Sequence, residues 1–81
     1  MTISELAAQL RAVTDSLEQA RAMTTAVVPQ LAEAKSALLV ARQDPTGFRP
    51  VELDVAMAEL GTAGDLIARA RQSVMDYLMR L

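Results

Sequence analysis

Apolar residues recur at alternating steps of three and four along two long stretches of this 81-residue chain, and a short segment bearing proline and glycine separates them. With heptad position a placed at Ile3, the a residues of the first stretch are Ile3, Leu10, Leu17, Thr24, Leu31 and Leu38. The d residues are Leu6, Val13, Ala20, Val27, Ala34 and Ala41, so eleven of the twelve are apolar. The second stretch places Leu53, Leu60, Ile67, Val74 and Leu81 at a. Its d residues are Ala56, Ala63, Ala70 and Tyr77, and all nine are apolar or aromatic. Apolar residues at this period belong to helices that pack along a seam. Composition agrees. The chain is rich in Ala, Leu, Met, Glu, Gln and Arg, which lose little side-chain freedom in a helix.

Local signals place the ends. Thr2-Ile3-Ser4-Glu5 has the form of a capping box, in which the Thr hydroxyl accepts from the backbone three residues on and the Glu reaches back. Helix 1 is expected over about 3–43. The breaker Asp44-Pro45-Thr46-Gly47-Phe48-Arg49-Pro50 gives a loop over about 44–49. Helix 2 is expected over about 50–80, with Pro50 in its first turn and Glu52 and Asp54 favourably placed near its N-terminus. Pro29 removes one backbone hydrogen bond and crowds the carbonyl of Thr25. It falls at outer position f, and the heptad phase continues across it, so it reads as a kink near Pro29, with a break into two helices as the alternative. Two heptad helices and a short connection make an all-α antiparallel two-helix hairpin. Gly61 and Gly64 interrupt helix 2. Either they allow a close helix contact or they are tolerated weaknesses.

The two helices differ in length. At 1.5 Å per residue they span roughly 60 and 47 Å. Pairing Arg42 near Val51 brings Leu81 opposite Ala12, and Ile3, Leu6 and Leu10 then overhang. Helix 1 also carries Met23, Val28, Leu39 and Val40 off the a/d seam. Helix 2 carries Val51, Val55, Met57, Leu66, Met75, Leu78 and Met79. An apolar set wider than one stripe implies more helices than one chain supplies. The expected answer is a homodimer forming a four-helix bundle, with a helical partner protein as the alternative. The candidate interaction residues are Ile3, Leu6, Leu10, Met23, Val28, Leu39, Met75, Leu78 and Met79.

Catalysis has little to work with. The chain has no His and no Cys. Ser-His-Asp chemistry, thiolate chemistry and the usual zinc ligands are therefore missing. No acidic residue falls on either a/d seam, and Gly61-Thr62-Ala63-Gly64 lacks the lysine of a phosphate-binding loop. Catalytic residues, metal ligands and cofactors are expected to be none, and the protein is not expected to be an enzyme. The formal net charge is −2, with the charges dispersed, so no nucleic-acid partner is expected. Asp65–Arg69, Asp76–Arg80 and Glu18–Arg21 have the spacing of helix-surface ion pairs. The longest uncharged stretch, Ala22 to Ala32, holds 11 residues and includes Pro29. A membrane span needs about 20. No signal peptide is read, because Glu5 stands where the basic region would lie. A cytoplasmic location is expected, with secretion lacking a signal peptide as the alternative. Seven arginines against one lysine, with heavy alanine use, suggest a GC-rich bacterial source.

An alanine- and arginine-rich hairpin of this length resembles the small helical hairpins of actinobacteria, of which the WXG-motif proteins of type VII secretion are one family. That resemblance implies dimerisation into a four-helix bundle. It rests on architecture over the whole chain. The segment 44–50 has no Trp-x-Gly, and Tyr77 is followed by Leu-Met-Arg-Leu rather than by the family's spaced acidic residue. No functional residue is carried over. The function expected is a non-enzymatic protein–protein interaction or scaffold module acting through a self-associating hairpin. The alternatives are a secretion-linked hairpin and a bundle that binds an apolar ligand.

Overall fold

A computed structural model describes residues 1–41 and 51–81. The expected ends of helix 1 past Ala41, the loop and Pro50 in the first turn of helix 2 lie outside the described residues. So do Phe48 and Arg49.

Two helices account for nearly all the described chain: α1 over Ile3–Ala41 and α2 over Val51–Arg80. The capping box starts α1. The Glu5 amide donates to Thr2 Oγ1 at 3.0 Å, and the Thr2 amide donates to Glu5 Oε2 at 3.4 Å. Two of the N-terminal donors that a helix leaves unpaired are thereby satisfied. Thr2→Ala is expected to cost about 1 kcal/mol of stability, read from thermal melts followed by circular dichroism. Pro29 lies inside a continuous α1. The break into two helices does not occur.

The helices pack antiparallel as a hairpin, drawn out into a rod of 65 × 16 × 14 Å. Cross-helix ion pairs fix the register. Glu18 lies beside Arg71, and Lys35 beside Asp54. This brings Leu81 opposite Ala8, not Ala12, so the overhang of α1 is shorter than expected. Leu10 now falls within the paired length and is half-buried; Leu6, also half-buried, and Ile3, 67% exposed, lie beyond the end of α2.

The seam itself is rotated. Half-buried or buried residues of α1 recur at Ala7, Leu10, Thr14, Leu17, Arg21, Thr24, Val28, Leu31 and Lys35. In α2 they recur at Leu53, Met57, Leu60, Gly64, Ile67, Arg71, Val74 and Leu78. These are the a positions with e; of the d positions, Leu6, Ala20, Ala56 and Ala63 stay half-buried at the edge of the seam. The rotation turns each helix by about 50° at 100° per residue. It moves Val13, Val27, Ala34, Ala70 and Tyr77 out to exposed positions and brings Thr14, Arg21, Lys35 and Arg71 in. Long arginine and lysine stems can cover apolar surface while their heads stay in water.

The two glycines of α2 differ. A Cβ built at Gly64 would come within 3.3 Å of Thr24 Oγ1, so the missing side chain permits the close helix approach there. Nothing lies within 4 Å of the same point at Gly61, which is simply a helix weakness of about 0.5–1 kcal/mol relative to alanine.

No hydrophobic side chain is buried among the described residues, and Thr14, at 8% exposure, is the single buried one. The chain exposes 6087 Å². A compact monomer of 8.7 kDa is expected to expose about 4,700 Å². Among the described residues the hairpin alone therefore has a seam but no core.

Candidate interaction face

The rotation of the seam makes the two broad sides of the hairpin chemically different. Position d lies about 80° from the middle of an a/e seam, and position b lies about 80° to the other side. The two helices run in opposite directions, which brings both d stripes to the same broad side. One side of the rod is therefore the d side and the opposite side is the b side.

The d side is apolar. From α1 it presents Leu6, Val13, Ala20, Val27 and Ala34. From α2 it presents Ala56, Ala63, Ala70 and Tyr77. Met23 and Leu66, at the adjoining g positions, are 68% and 57% exposed. No acidic or basic residue occupies a d position in either helix. Leaving this surface in water is unfavourable by about 25 cal/mol per Å² of apolar area.

The b side is mixed and carries the ion pairs of the hairpin. Its central feature is Glu18, whose carboxylate accepts from Arg21 Nε at 3.0 Å and Nη2 at 2.7 Å. Arg71 Nε approaches the same carboxylate at 3.8 Å, too long for a hydrogen bond, and is fully covered without a partner. Lys35 Nζ donates to Asp54 Oδ1 at 2.6 Å. The Glu18–Arg21 pair is the one expected from helix spacing. Asp65–Arg69 and Asp76–Arg80 do not form, and Asp76 instead accepts from Gln72 Nε2 at 2.9 Å. Thr24, the polar a residue, donates to the Arg21 carbonyl at 2.7 Å, and Thr14 donates to the Leu10 carbonyl at 2.9 Å. Both hydroxyls are thus satisfied within α1.

The charges on this side have a pH consequence. Hydrogen bonding from Arg21 lowers the Glu18 carboxyl pKa; burial opposes the shift, and the Arg21 and Arg71 charges reinforce it. Arg21 is raised in turn by its hydrogen bond with Glu18. A carboxylate depressed in the folded state contributes stability that is full above the unfolded value of about 4.3. That contribution is lost as pH falls through the lower folded value. Glu18→Gln is expected to make the acid limb of the stability curve shallower while leaving melts at pH 7–8 parallel in shape. Melting temperatures across pH 2–8 check it.

A groove of about 470 Å³ also opens on the b side, between the helices. Val28, Pro29, Leu60 and Ala68 give it an apolar lining, Gly61 and Gly64 leave it wide, and Arg21 and Asp65 rim it. Among the described residues no three acidic groups converge to hold a metal ion. No helix of the described residues is long and apolar enough to cross a membrane.

The nine candidate interaction residues divide between several places. Ile3, Met23, Leu39 and Met79 are exposed. Leu10, Val28 and Leu78 are half-buried on the seam, and Leu6 and Met75 are half-buried beside it, on the d and b sides respectively. The structure thus does not gather the nine into one patch. The coherent surface is instead built by the d stripes, which sequence periodicity assigns to the seam. One signal for them was present: the d residues of α2 are alanines apart from Tyr77, and so fill a seam poorly. No protein family, curated protein or solved structure matches the chain.

Proposed function

We propose that this protein is a non-enzymatic interaction module whose hairpin completes its fold by self-association through the d side. The observation that carries this reading is the lack of a buried hydrophobic core among the described residues. Without one buried hydrophobic side chain among the described residues, there is little to offset the conformational entropy of ordering the chain, about 1–2 kcal/mol per residue for the backbone alone. A second helical layer over the d side supplies what is absent, giving a four-helix bundle. The size of the deficit fits. The surface in excess of a compact monomer is roughly 1,400 Å² per chain. Two chains together would remove about twice that, within the roughly 2,000–5,000 Å² typical of obligate homodimers. The groove beside Val28 and Leu60 opens on the opposite side and stays free in such an assembly.

Size-exclusion chromatography with light scattering tests the reading. At micromolar concentration the expected mass is twice 8.7 kDa. A well-folded, helical species of 8.7 kDa at that concentration overturns it.

A further inference from the structure

We infer that the partner on the d side is a second copy lying head to tail, with the linked end of one hairpin over the free end of the other. The inference rests on the self-association proposed above and specifies its geometry. The twofold axis would cross the rod at right angles, near the level of Met23 and Leu66.

Face-to-face packing of two identical hairpins by a twofold axis allows two arrangements. With the axis along the rod, both linked ends lie together and each level of the rod meets the same level of its copy. With the axis across the rod, the linked ends lie apart and α1 runs antiparallel to its own copy. Side-chain size along the d side separates the two. Near the free end the d side carries Val13 and Tyr77, at one level of the rod because Glu18 and Arg71 fix the register. Toward the linked end it carries Ala34 and Ala56, level with each other by the same register.

An axis along the rod puts Val13 and Tyr77 over each other's copies and alanine over alanine. The helices would have to splay at one end and close at the other. A crosswise axis puts Val13 over Ala34 and Tyr77 over Ala56. The same axis puts Ala20 over Val27. Each of these contacts sets a larger side chain against an alanine, and only Ala63 meets an alanine, Ala70, so the layer spacing stays nearly even and the surfaces interdigitate. The pairings are mutually consistent: one axis position satisfies the contacts of α1 and those of α2. At its centre it brings Met23 and Leu66, both exposed in the single chain, against their own copies. Further out, it places Ser16 and Ser73 opposite Gln30 and Glu59, so polar residues meet polar residues.

The chain contains no cysteine, so a single introduced thiol carries one spin label without a background. Ala8→Cys and Ala22→Cys place labels on the exposed outer face of α1. With the crosswise axis, the two Ala8 sites are offset along the rod by roughly 47 Å, and the two Ala22 sites by roughly 5 Å, at 1.5 Å per residue. The expected pulsed-EPR result is an interlabel distance at least about 15 Å longer for Ala8→Cys than for Ala22→Cys. Equal distances at the two sites in a dimeric sample overturn the head-to-tail arrangement and leave self-association standing. Labelled protein that is monomeric and helical by light scattering overturns both. A paired variant, Tyr77→Ala with Ala56→Tyr, checks the contact separately. Dimer affinity within about threefold of the parent supports the pairing, and a loss as large as that of Ala56→Tyr alone overturns it.

Discussion

Val27→Glu is expected to weaken self-association by at least about 100-fold, as the combined loss of valine burial and cost of a buried, unpaired carboxylate in both copies. Val27 lies on the d side and is partly exposed in the single hairpin. The change therefore does little damage within one chain. In the proposed assembly it would place a carboxylate in each copy between helical layers, with no cation at a d position to receive it. The hairpin alone has no core among the described residues, so loss of association should appear as loss of folding: helicity at low micromolar concentration should fall, and the melting temperature should rise with protein concentration. Ala22→Glu, on the outer face of α1, is the matched control and should leave mass and melting unchanged. Analytical ultracentrifugation and circular dichroism over a hundredfold concentration range measure both effects. A Val27→Glu protein that sediments and melts like its parent would remove the d side as the interface.

Pro29→Ala is expected to act in the opposite direction and to stabilise the protein by about 1–3 kcal/mol per chain. Proline inside a helix lacks the N–H that would pair with the carbonyl four residues back, here Thr25, and its ring crowds that carbonyl. The rest of α1 continues through the site, and Pro29 is exposed, so alanine restores the hydrogen bond and removes little packing. For a chain of this size each kcal/mol shifts the midpoint by roughly 4–8 °C, so a rise of about 5–20 °C should appear in thermal melts. A lower midpoint would mean that α1 needs the proline to follow α2 beside the groove at Val28 and Leu60. The two variants together separate the energetics of the single helix from those of its association.

Much of the hairpin was legible from residues alone. Thr2 and Glu5 marked the start of α1, and the heptad phase across Pro29 marked its continuity. The interaction face was less legible, because Leu6, Val13, Val27 and Tyr77 carry the same apolar signature whether they meet the other helix of the hairpin or another molecule. Arg21, Lys35 and Arg71 add to the ambiguity: their stems line the seam while their charges turn toward Glu18 and Asp54.

The sequence by itself determined two helices, their direction and an apolar surplus that one hairpin cannot bury. Period and capping are local properties, set by 100° per residue and by neighbours within one turn. The tertiary structure alone decided which side of the a stripe faces the partner helix. That choice turns on the close approach at Gly64 and Thr24 and on the cross-helix pairs Glu18–Arg71 and Lys35–Asp54, all between residues far apart in the chain. It amounts to a rotation of about 50°, too small to alter the period but enough to move Val13, Val27, Ala34, Ala70 and Tyr77 from the seam to the surface.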